Sequence, residues 1–394
     1  PNFDASLSRN FVTDIPEIDG PCEFNGCKDP IGWDDSGHGT HVAGTVAAAA
    51  NGFGVSGVAP NVTLVEVRGG QDSGFLFLKP VADALTYSGD AGLDVVNMSF
   101  YVDPWLYNCI GGAPEDSPED AAFQQLVLDT MNAAMDYAHG KGVTLVGSLG
   151  NNHEDLSNPR HDFSSPDYPL NTAHERTIND ATCFDMPVEG QHVIGVSALG
   201  PSEKKADYSN YSSGGAAKGE IEVAAPGGWF RDGFGTPTFR TVQNEILSTY
   251  PVNALQADGF VDKNGRITRD GLANGVMKVC PSKKSAYTDC GYYAWLQGTS
   301  MASPHATGVA ALAVSAWGAG TTADDFGLAP DTVRSIVLNS AREHACPEPP
   351  LQTYTDEGRS TEFNALCTGT EEFNAFYGNG IVDAYAAVTT GAAG

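Results

Sequence analysis

Short, nearly continuous apolar runs alternate along this chain with segments of helical periodicity. This alternation restricts the possible folds of the chain more than any other feature of the sequence. Such runs are typical of parallel strands that are buried on both faces by crossover helices. The candidate strands span residues 62–68, 94–99, 143–148, 192–199 and 221–225. The sequence therefore predicts an α/β fold with a doubly wound, mostly parallel central sheet and helices on both of its faces.

One helix between these runs carries clear start and stop signals. Ser117 fits the N-cap, Pro118 fits the first helical position, and Gly140 follows the predicted end. Apolar side chains at i, i+3 and i+4 spacing predict one buried face against the sheet. They are Phe123, Leu126, Val127, Met131, Ala134, Met135 and Ala138.

The chain shows no internal repeat and no linker, but its composition becomes typical of loops at residues 228–295. This region is rich in Gly, Pro, Asn and aromatic residues, and Asn264-Gly265 predicts a hairpin turn. A calcium loop at residues 262–265 is the alternative, although the further acidic ligands of an EF-hand are missing. We expect one α/β domain with a large insertion.

Acidic residues outnumber basic ones by 49 to 21, which gives a formal net charge of −28. Nucleic-acid binding is disfavoured because it needs Lys and Arg to neutralise phosphates. The charge fits an extracellular surface that tolerates salt or acid, although carboxylates that merely keep the surface solvated give the same composition. No apolar run is long enough for a membrane span, so we expect no membrane partner.

The eight cysteines form an even set without a CxxC pair, which argues against zinc. Their neighbours suggest local disulfides Cys22–Cys27, Cys280–Cys290 and Cys346–Cys367, and Cys109 with Cys183 remains by elimination. Sequence alone does not fix this connectivity, and reduced buried thiols are the alternative. A disulfide set indicates an oxidising compartment.

Three short segments carry side chains suited to nucleophilic catalysis. His38 opens a small-residue helix within residues 37–44, where a base would be well placed, whereas His41 fits a structural role. Ser300 lies at the start of an apolar helix, where unpaired N–H groups can stabilise an oxyanion, or where it could be a simple N-cap. Asn151 follows a buried strand and can aim an amide donor above the sheet edge, although Asn is also common in turns.

Taken together, these three segments resemble the subtilase family of serine proteases, in which they occur in the same order. The similarity extends over essentially the whole chain through residues 57–60, 94–99, 225–227 and 378–384. It implies a subtilisin-like domain over residues 1–394, truncated at its N-terminus, with the loop-rich insertion at about 228–295. It also implies a serine endopeptidase that acts on protein or peptide substrates.

The resemblance assigns a role to each matching residue. His38 removes the proton from Ser300, Ser300 attacks the scissile carbonyl, and Asn151 with the Ser300 N–H holds the oxyanion. The substrate strand is expected between two edges. The positions that match the substrate-binding segments are Asp72, Ser73, Gly74, Ser99, Phe100, Tyr101, Ser148, Leu149 and Gly150.

Two departures from the family pattern stand out. Phe100-Tyr101-Val102 replaces the Gly-rich residues that usually follow the Asn-Met-Ser strand. In the family, the catalytic Asp precedes a His-Pro-Asp/Asn segment, and Pro1-Asn2-Phe3 resembles the end of that segment. We therefore expect this Asp upstream of Pro1. Asp34 and Asp35 are poor substitutes, because they precede His38 on the same loop and the acid must reach the far ring nitrogen.

Further expectations come with the resemblance. No cofactor is needed for the chemistry, but a structural calcium ion near Asn2, Asn51, Phe53 and Val55 is implied. We also expect a secreted, extracellular monomer with a propeptide upstream in the precursor. The alternative is a pseudo-protease or binding protein that has lost the acid. An α/β-hydrolase esterase is excluded, because Ser300 lies in Gly-Thr-Ser-Met-Ala rather than Gly-x-Ser-x-Gly and because His precedes Ser.

Overall fold

The computed structural model describes residues 2–216, 218–282, 286, 289–320 and 326–390. Its largest sheet contains β3 (Val95–Met98), β5 (Thr144–Ser148), β9 (Val193–Leu199) and β10 (Val223–Pro226). The strands are all parallel and lie in the order β10-β9-β5-β3. Every residue of β5 and β9 is buried, as their continuous apolar runs predict.

Helices cover both faces of this sheet. On one face, Val146 and Ile194 pack in the same core cluster as Ala306 and Ala310 of α7 (Thr299–Trp317). Met131 of α4 (Pro118–Gly140) joins Leu145 in the core on the other face, with α3 (Leu78–Asp90). The predicted doubly wound α/β fold is confirmed.

The remaining elements are short or peripheral. The helices are α1 (Pro16–Asp19), α2 (His38–Ala47), α5 (Val252–Ala257), α6 (Arg269–Ala273), α8 (Pro330–Asn339) and α9 (Ala384–Thr389). The short strand pairs are β1 (Arg9–Asn10) with β2 (Val67–Arg68), β4 (Asn108–Cys109) with β8 (Cys183–Phe184), β6 (His161–Asp162) with β7 (Arg176–Thr177), and β14 (Leu351–Gln352) with β15 (Ala365–Leu366). Single 3₁₀ turns span Val242–Asn244 and Thr361–Phe363.

Helix α4 begins where the sequence predicts, and Ser117 forms a capping box with Asp120. Its buried face is rotated from the predicted one, since Phe123 and Leu126 are 40% and 51% exposed. The polar residue Gln124 is fully buried instead, where its Oε1 accepts hydrogen bonds from Arg176 Nη2 and Cys109 N at 2.7 and 2.9 Å. An apolar pattern could not identify a polar residue as part of the core.

The loop-like region holds more regular structure than the sequence indicates. Strands β11 (Ile246–Thr249), β12 (Met277–Val279) and β13 (Gly291–Leu296) form an antiparallel sheet in the order β11-β13-β12. The predicted turn at Asn264-Gly265 is confirmed, because Asp262 N donates to Arg266 O at 2.8 Å across it. Residues 283–285 and 287–288 of the predicted insertion lie outside the described residues.

The predicted strand at 62–68 is regular only at Val67–Arg68, with one more bridge between Leu64 and Phe3. Within the described ranges, β2 pairs only with β1 and β3 pairs only with β5. Each therefore keeps one strand edge without a partner. This explains why Val95, Val96 and Asn97 are half-buried, while β5 and β9 are completely buried.

All four predicted disulfides are present, including Cys109–Cys183, which joins β4 to β8. No cysteine in the described part of the chain is free. None of the helices that the structure describes combines the length and apolar character needed to cross a membrane.

Candidate active site

Ser300 lies in the first turn of α7, two residues after Gly298, which has a φ of +153°. N–H groups in the first turn of a helix have no carbonyl partner four residues earlier within the helix. The Ser300 N–H is therefore available to an anion, and the partial positive charge of the helix N-terminus favours one there. The Ser300 Oγ donates a weak hydrogen bond to Ser99 O at 3.3 Å.

A side-chain network fixes this turn to the end of β3. Ser99 Oγ donates to Ser300 O at 2.9 Å and accepts from Asn97 Nδ2 at 2.8 Å. The other end of Asn97, its Oδ1, accepts from Ser303 Oγ at 2.8 Å and from Thr307 Oγ1 at 2.9 Å. The nucleophile candidate is thus held by a strand and a helix of the central sheet.

Asn151 follows β5 and projects toward the same turn. Its Oδ1 accepts from Thr299 N at 2.9 Å and from Thr299 Oγ1 at 3.0 Å. Gly150 N also donates to Thr299 Oγ1, at 3.1 Å. These bonds orient the Asn151 amide, and its Nδ2 has no hydrogen-bond partner among the described residues, so it can donate to a bound oxyanion.

His38 is the first residue of α2, and Gly37 before it adopts a left-handed conformation with a φ of +81°. Burial lowers the pKa of His38, while the charge of Asp34 opposes this shift. The lowered pKa keeps the imidazole neutral near pH 7, which a general base requires. In the part of the chain that the structure describes, neither ring nitrogen makes a hydrogen bond.

Both acids next to His38 are occupied by other groups. Asp34 Oδ1 accepts from Gly37 N at 2.8 Å, and its Oδ2 accepts from Thr40 N at 2.9 Å and Thr40 Oγ1 at 2.6 Å. Asp35 accepts from Trp33 Nε1 at 2.6 Å and Asn253 Nδ2 at 2.9 Å. Both carboxylates thus stabilise the loop before α2.

One cleft of about 2320 Å³ brings the three candidates together, since His38, Asn151 and Ser300 all line it. Of the positions predicted to bind substrate, those that also line it are Asp72, Ser73, Gly74, Ser99, Phe100, Tyr101, Ser148 and Gly150. Leu149 differs, because its side chain is completely buried in the core. The carboxylate of Asp72 pairs with Arg68 and the Ser73 Oγ donates to Asp19 at 2.6 Å, so these two side chains are already engaged.

The same cleft continues between the two unpaired strand edges. All residues from 62 to 68 line it on one side, and all from 94 to 97 line it on the other. Ala311, Leu312 and Ser315 of α7 line it too and are not fully buried. Apolar side chains and free strand edges are what one further strand would cover.

Other predicted roles fall on residues near this site. His41 is fully buried, and its Nε2 lies 3.0 Å from Ile246 O, which is the structural role expected for it. Asn2 Nδ2 donates to Ala47 O at 2.8 Å, and Asn51 Oδ1 accepts from Phe53 N at 3.0 Å. Asn2, Asn51, Phe53 and Val55 offer only uncharged oxygens, and the Asn51 oxygen already has a donor. A calcium ion there stays a prediction.

Sequence reasoning missed Asp185, which lines the cleft although its residue is only 3% exposed. It directly follows β8, far along the chain from the three catalytic segments. Its proximity depends on the fold of residues 152–184, where the sequence carries no motif. The one sequence signal nearby is Cys183, two residues earlier, whose disulfide with Cys109 joins this stretch to the segment after β3.

Comparisons with known proteins agree with this geometry. A model of the subtilase family matches residues 23–380. Subtilisin DY of Bacillus licheniformis is 28% identical over 303 residues, which cover 77% of this chain and 72% of that protein. Thermitase of Thermoactinomyces vulgaris is 25% identical over 332 residues, covering 84% and 75%. The thermophilic serine proteinase of Bacillus sp. (strain AK1) is 26% identical over 288 residues, 73% of this chain but only 44% of that protein.

Among solved structures, the epidermin leader peptide processing serine protease from Staphylococcus aureus aligns with 99% of this chain and 71% of its own. The TM-score is 0.58 at 21% sequence identity, which shows a common fold.

Proposed function

Because this chain belongs to the subtilase family, a family of serine endopeptidases, we propose that it cleaves peptide bonds within proteins through an acyl-enzyme on Ser300. The observation that carries this proposal is the arrangement around α7. The Ser300 Oγ and N–H, the free Asn151 Nδ2 and the neutral His38 ring all line one cleft.

The proposed reaction gives each of these groups a role. His38 accepts the proton as Ser300 Oγ attacks the scissile carbonyl, and the oxygen of that carbonyl becomes negative. Asn151 Nδ2 and the Ser300 N–H donate hydrogen bonds to this oxyanion. His38 then gives its proton to the leaving amine, and water releases the acyl group by the same steps in reverse. Removal of one oxyanion donor of this kind costs about 10²–10³ in turnover.

Hydrolysis of a denatured protein tests the proposal. The full-length protein should release peptides from reduced, unfolded casein, and Ser300→Ala should abolish this release. Ser335→Ala is the matched control, because Ser335 is exposed on α8 and donates only to Asp331 O at 2.8 Å. Absence of hydrolysis by the full-length protein, or hydrolysis that survives Ser300→Ala, would rule the mechanism out.

For the third triad member, we propose an Asp on a strand upstream of Asn2 that fills the space between β2 and β3. The free edges of these strands and the part-exposed apolar residues between them support this proposal. The strand would end beside His38, and loss of such a carboxylate costs on the order of 10⁴ in turnover. A non-catalytic binding protein is the alternative, because no described carboxylate contacts the His38 ring.

One measurement distinguishes an enzyme with an upstream catalytic Asp from a non-catalytic binding protein. In the full-length protein, replacement of that upstream Asp by Asn should lower turnover by about 10⁴ while substrate binding is retained. A full-length chain with no Asp at this place, and no turnover, would support the binding protein.

We extend the proposal to a secreted, monomeric enzyme that is made with a propeptide. The four disulfides support this, because such bonds persist in oxidising compartments.

A further inference from the structure

The proposed mechanism defines where the substrate residue before the scissile bond must lie. Its carbonyl carbon faces Ser300 Oγ, and its carbonyl oxygen faces Asn151 Nδ2. The side chain of that residue then lies beside the segments that follow β3 and β5, because Ser300 Oγ contacts Ser99 O and Gly150 contacts Thr299. The following inference rests on the proposed function and concerns the chemistry of this subsite.

Asp185 lies against the segment after β5. A Cβ atom placed on Gly150 would be 3.5 Å from Asp185 Oδ2. The same stretch is tied to the segment after β3, since Val102 N donates to Met186 O at 2.8 Å. Asp185 therefore lies between the two segments that flank the substrate side chain, and it lines the cleft although it is almost completely buried.

The carboxyl group of Asp185 has no partner among the described residues, since neither of its oxygens accepts a hydrogen bond or forms an ion pair there. Its backbone is bonded, because its N–H donates to Glu189 Oε2 at 2.6 Å and its carbonyl accepts from Glu189 N at 2.9 Å. Burial raises the pKa of Asp185 well above its usual range, and the charge of Asp162 adds to this. A buried carboxyl group without a partner gains strongly from a cation that enters its pocket.

Three other buried carboxylates of this protein have arginine partners. Arg176 pairs with Asp116 at 2.9 Å and with Asp162 at 2.8 Å, and Arg334 pairs with Glu222 at 2.7 Å. Among the described residues that line the cleft, no Lys or Arg is free to pair with Asp185. Arg68 is the only Lys or Arg among its described lining residues, and its guanidinium already pairs with Asp29 and Asp72.

Two more acids line the cleft near the segment after β3. Tyr101 Oη donates to Asp167 Oδ2 at 2.8 Å, and Asp103 accepts from Leu76 N. Burial, together with a hydrogen bond to Asp167, raises the pKa of Asp103 to about 9. Neither acid supplies a positive charge, so no unpaired Lys or Arg lies in this part of the cleft among the described residues.

We propose that Asp185 is a specificity-determining residue, whose carboxylate pairs with the guanidinium or ammonium group of an Arg or Lys side chain before the scissile bond. The incoming cation replaces the proton on the carboxyl group and forms charge-assisted hydrogen bonds in a pocket that excludes water. An apolar side chain leaves Asp185 unpaired, and an acidic one meets further carboxyl groups instead of a cation. The substrates are therefore proteins cleaved after basic residues.

The test is a set of peptides that differ only in the residue before the scissile bond, namely Arg, Lys, Gln, Met, Phe or Glu. With the full-length protein, kcat/KM for Arg and Lys should exceed that for Met and Phe by about 10² or more. Asp185→Asn should remove most of this preference, because it should lower kcat/KM for Arg and Lys far more than kcat/KM for Met. Asp129→Asn is the control, because Asp129 is exposed on α4 and accepts only from Gln125.

Equal or faster cleavage after Met or Phe by the unmodified protein would overturn the inference, as would a basic preference that survives Asp185→Asn. The comparison among peptides needs no variant, so it decides the question even if Asp185→Asn does not fold. Failure of the proposed function has a different signature, since no peptide would be cleaved and a fluorophosphonate would not modify Ser300. Modification of Ser300 without a basic preference contradicts the specificity alone.

Discussion

Each carboxylate close to His38 already bonds to other groups, and these bonds limit what it can do for the reaction. Asp34 holds the N–H groups of Gly37 and Thr40 at the start of α2, and Asp35 holds Trp33 and Asn253. Neither carboxylate forms a hydrogen bond with the imidazole of His38. At the scale of single residues, we therefore treat Asp34 as a helix-capping group that acts on His38 only through its charge.

Asp34→Asn tests this assignment. An Asn side chain has one acceptor oxygen and no charge, so the variant should lose about 1 kcal/mol in the free energy of unfolding. Turnover should stay within about threefold, since no triad contact is lost. The charge of Asp34 raises the pKa of His38, so its removal should move the acidic limb of the pH–rate profile to lower pH.

Denaturant unfolding and the pH dependence of kcat/KM measure these effects, with Asp35→Asn as the parallel variant. A loss on the order of 10⁴ in turnover for Asp34→Asn alone would show that Asp34 is the triad acid after all.

Residues in local motifs could be predicted from the sequence, and residues placed by distant packing could not. His38, Asn151 and Ser300 each stand in a segment whose local structure alone exposes the side chain. Asp185 follows a two-residue strand with no such pattern, and its position depends on the contacts of β8 and Met186. The same holds for Gln124, whose burial depends on Arg176.

At the scale of elements, the link between β3 and α7 holds Ser300, the proposed nucleophile. Asn97 is its centre, because its amide reaches Ser99 on the strand and Ser303 and Thr307 on the helix. A chain of polar contacts inside a sheet–helix interface stabilises one geometry, and the removal of its centre leaves buried groups unpaired.

Asn97→Ala should lower the free energy of unfolding by about 1–3 kcal/mol, because it leaves the Ser303 hydroxyl without an acceptor. It should also lower kcat more than it raises KM, since it loosens the turn that carries Ser300 rather than the substrate edges. Asn158→Ala is the control, as Asn158 is exposed and only its backbone N–H is bonded. An Asn97→Ala variant with unchanged stability and kcat would contradict this role.

The order of the elements could be predicted, but their lengths and partners could not. The apolar runs identify the four central strands, since burial on both faces is visible as continuous hydrophobicity. The run at 62–68 has the same composition, yet it is regular only at Val67–Arg68. A strand becomes regular only where a neighbouring strand hydrogen-bonds to it, and the sequence does not show whether that neighbour is present.

At the scale of the whole molecule, the cleft joins three features. It holds the catalytic candidates at one end, acidic groups beside the substrate positions, and the space between β2 and β3. With a net charge of −28, the protein as a whole attracts cationic peptides, which is consistent with specificity for basic residues. All of the proposed chemistry depends on Ser300 as the nucleophile.

The most direct test of that claim is peptide mapping by mass spectrometry after the full-length protein reacts with a fluorophosphonate. We predict one adduct, on Ser300, which is lost in Ser300→Ala and forms far more slowly in His38→Ala, because the base that activates the hydroxyl is gone. No adduct on the full-length protein, or an adduct that persists in Ser300→Ala, would contradict the account.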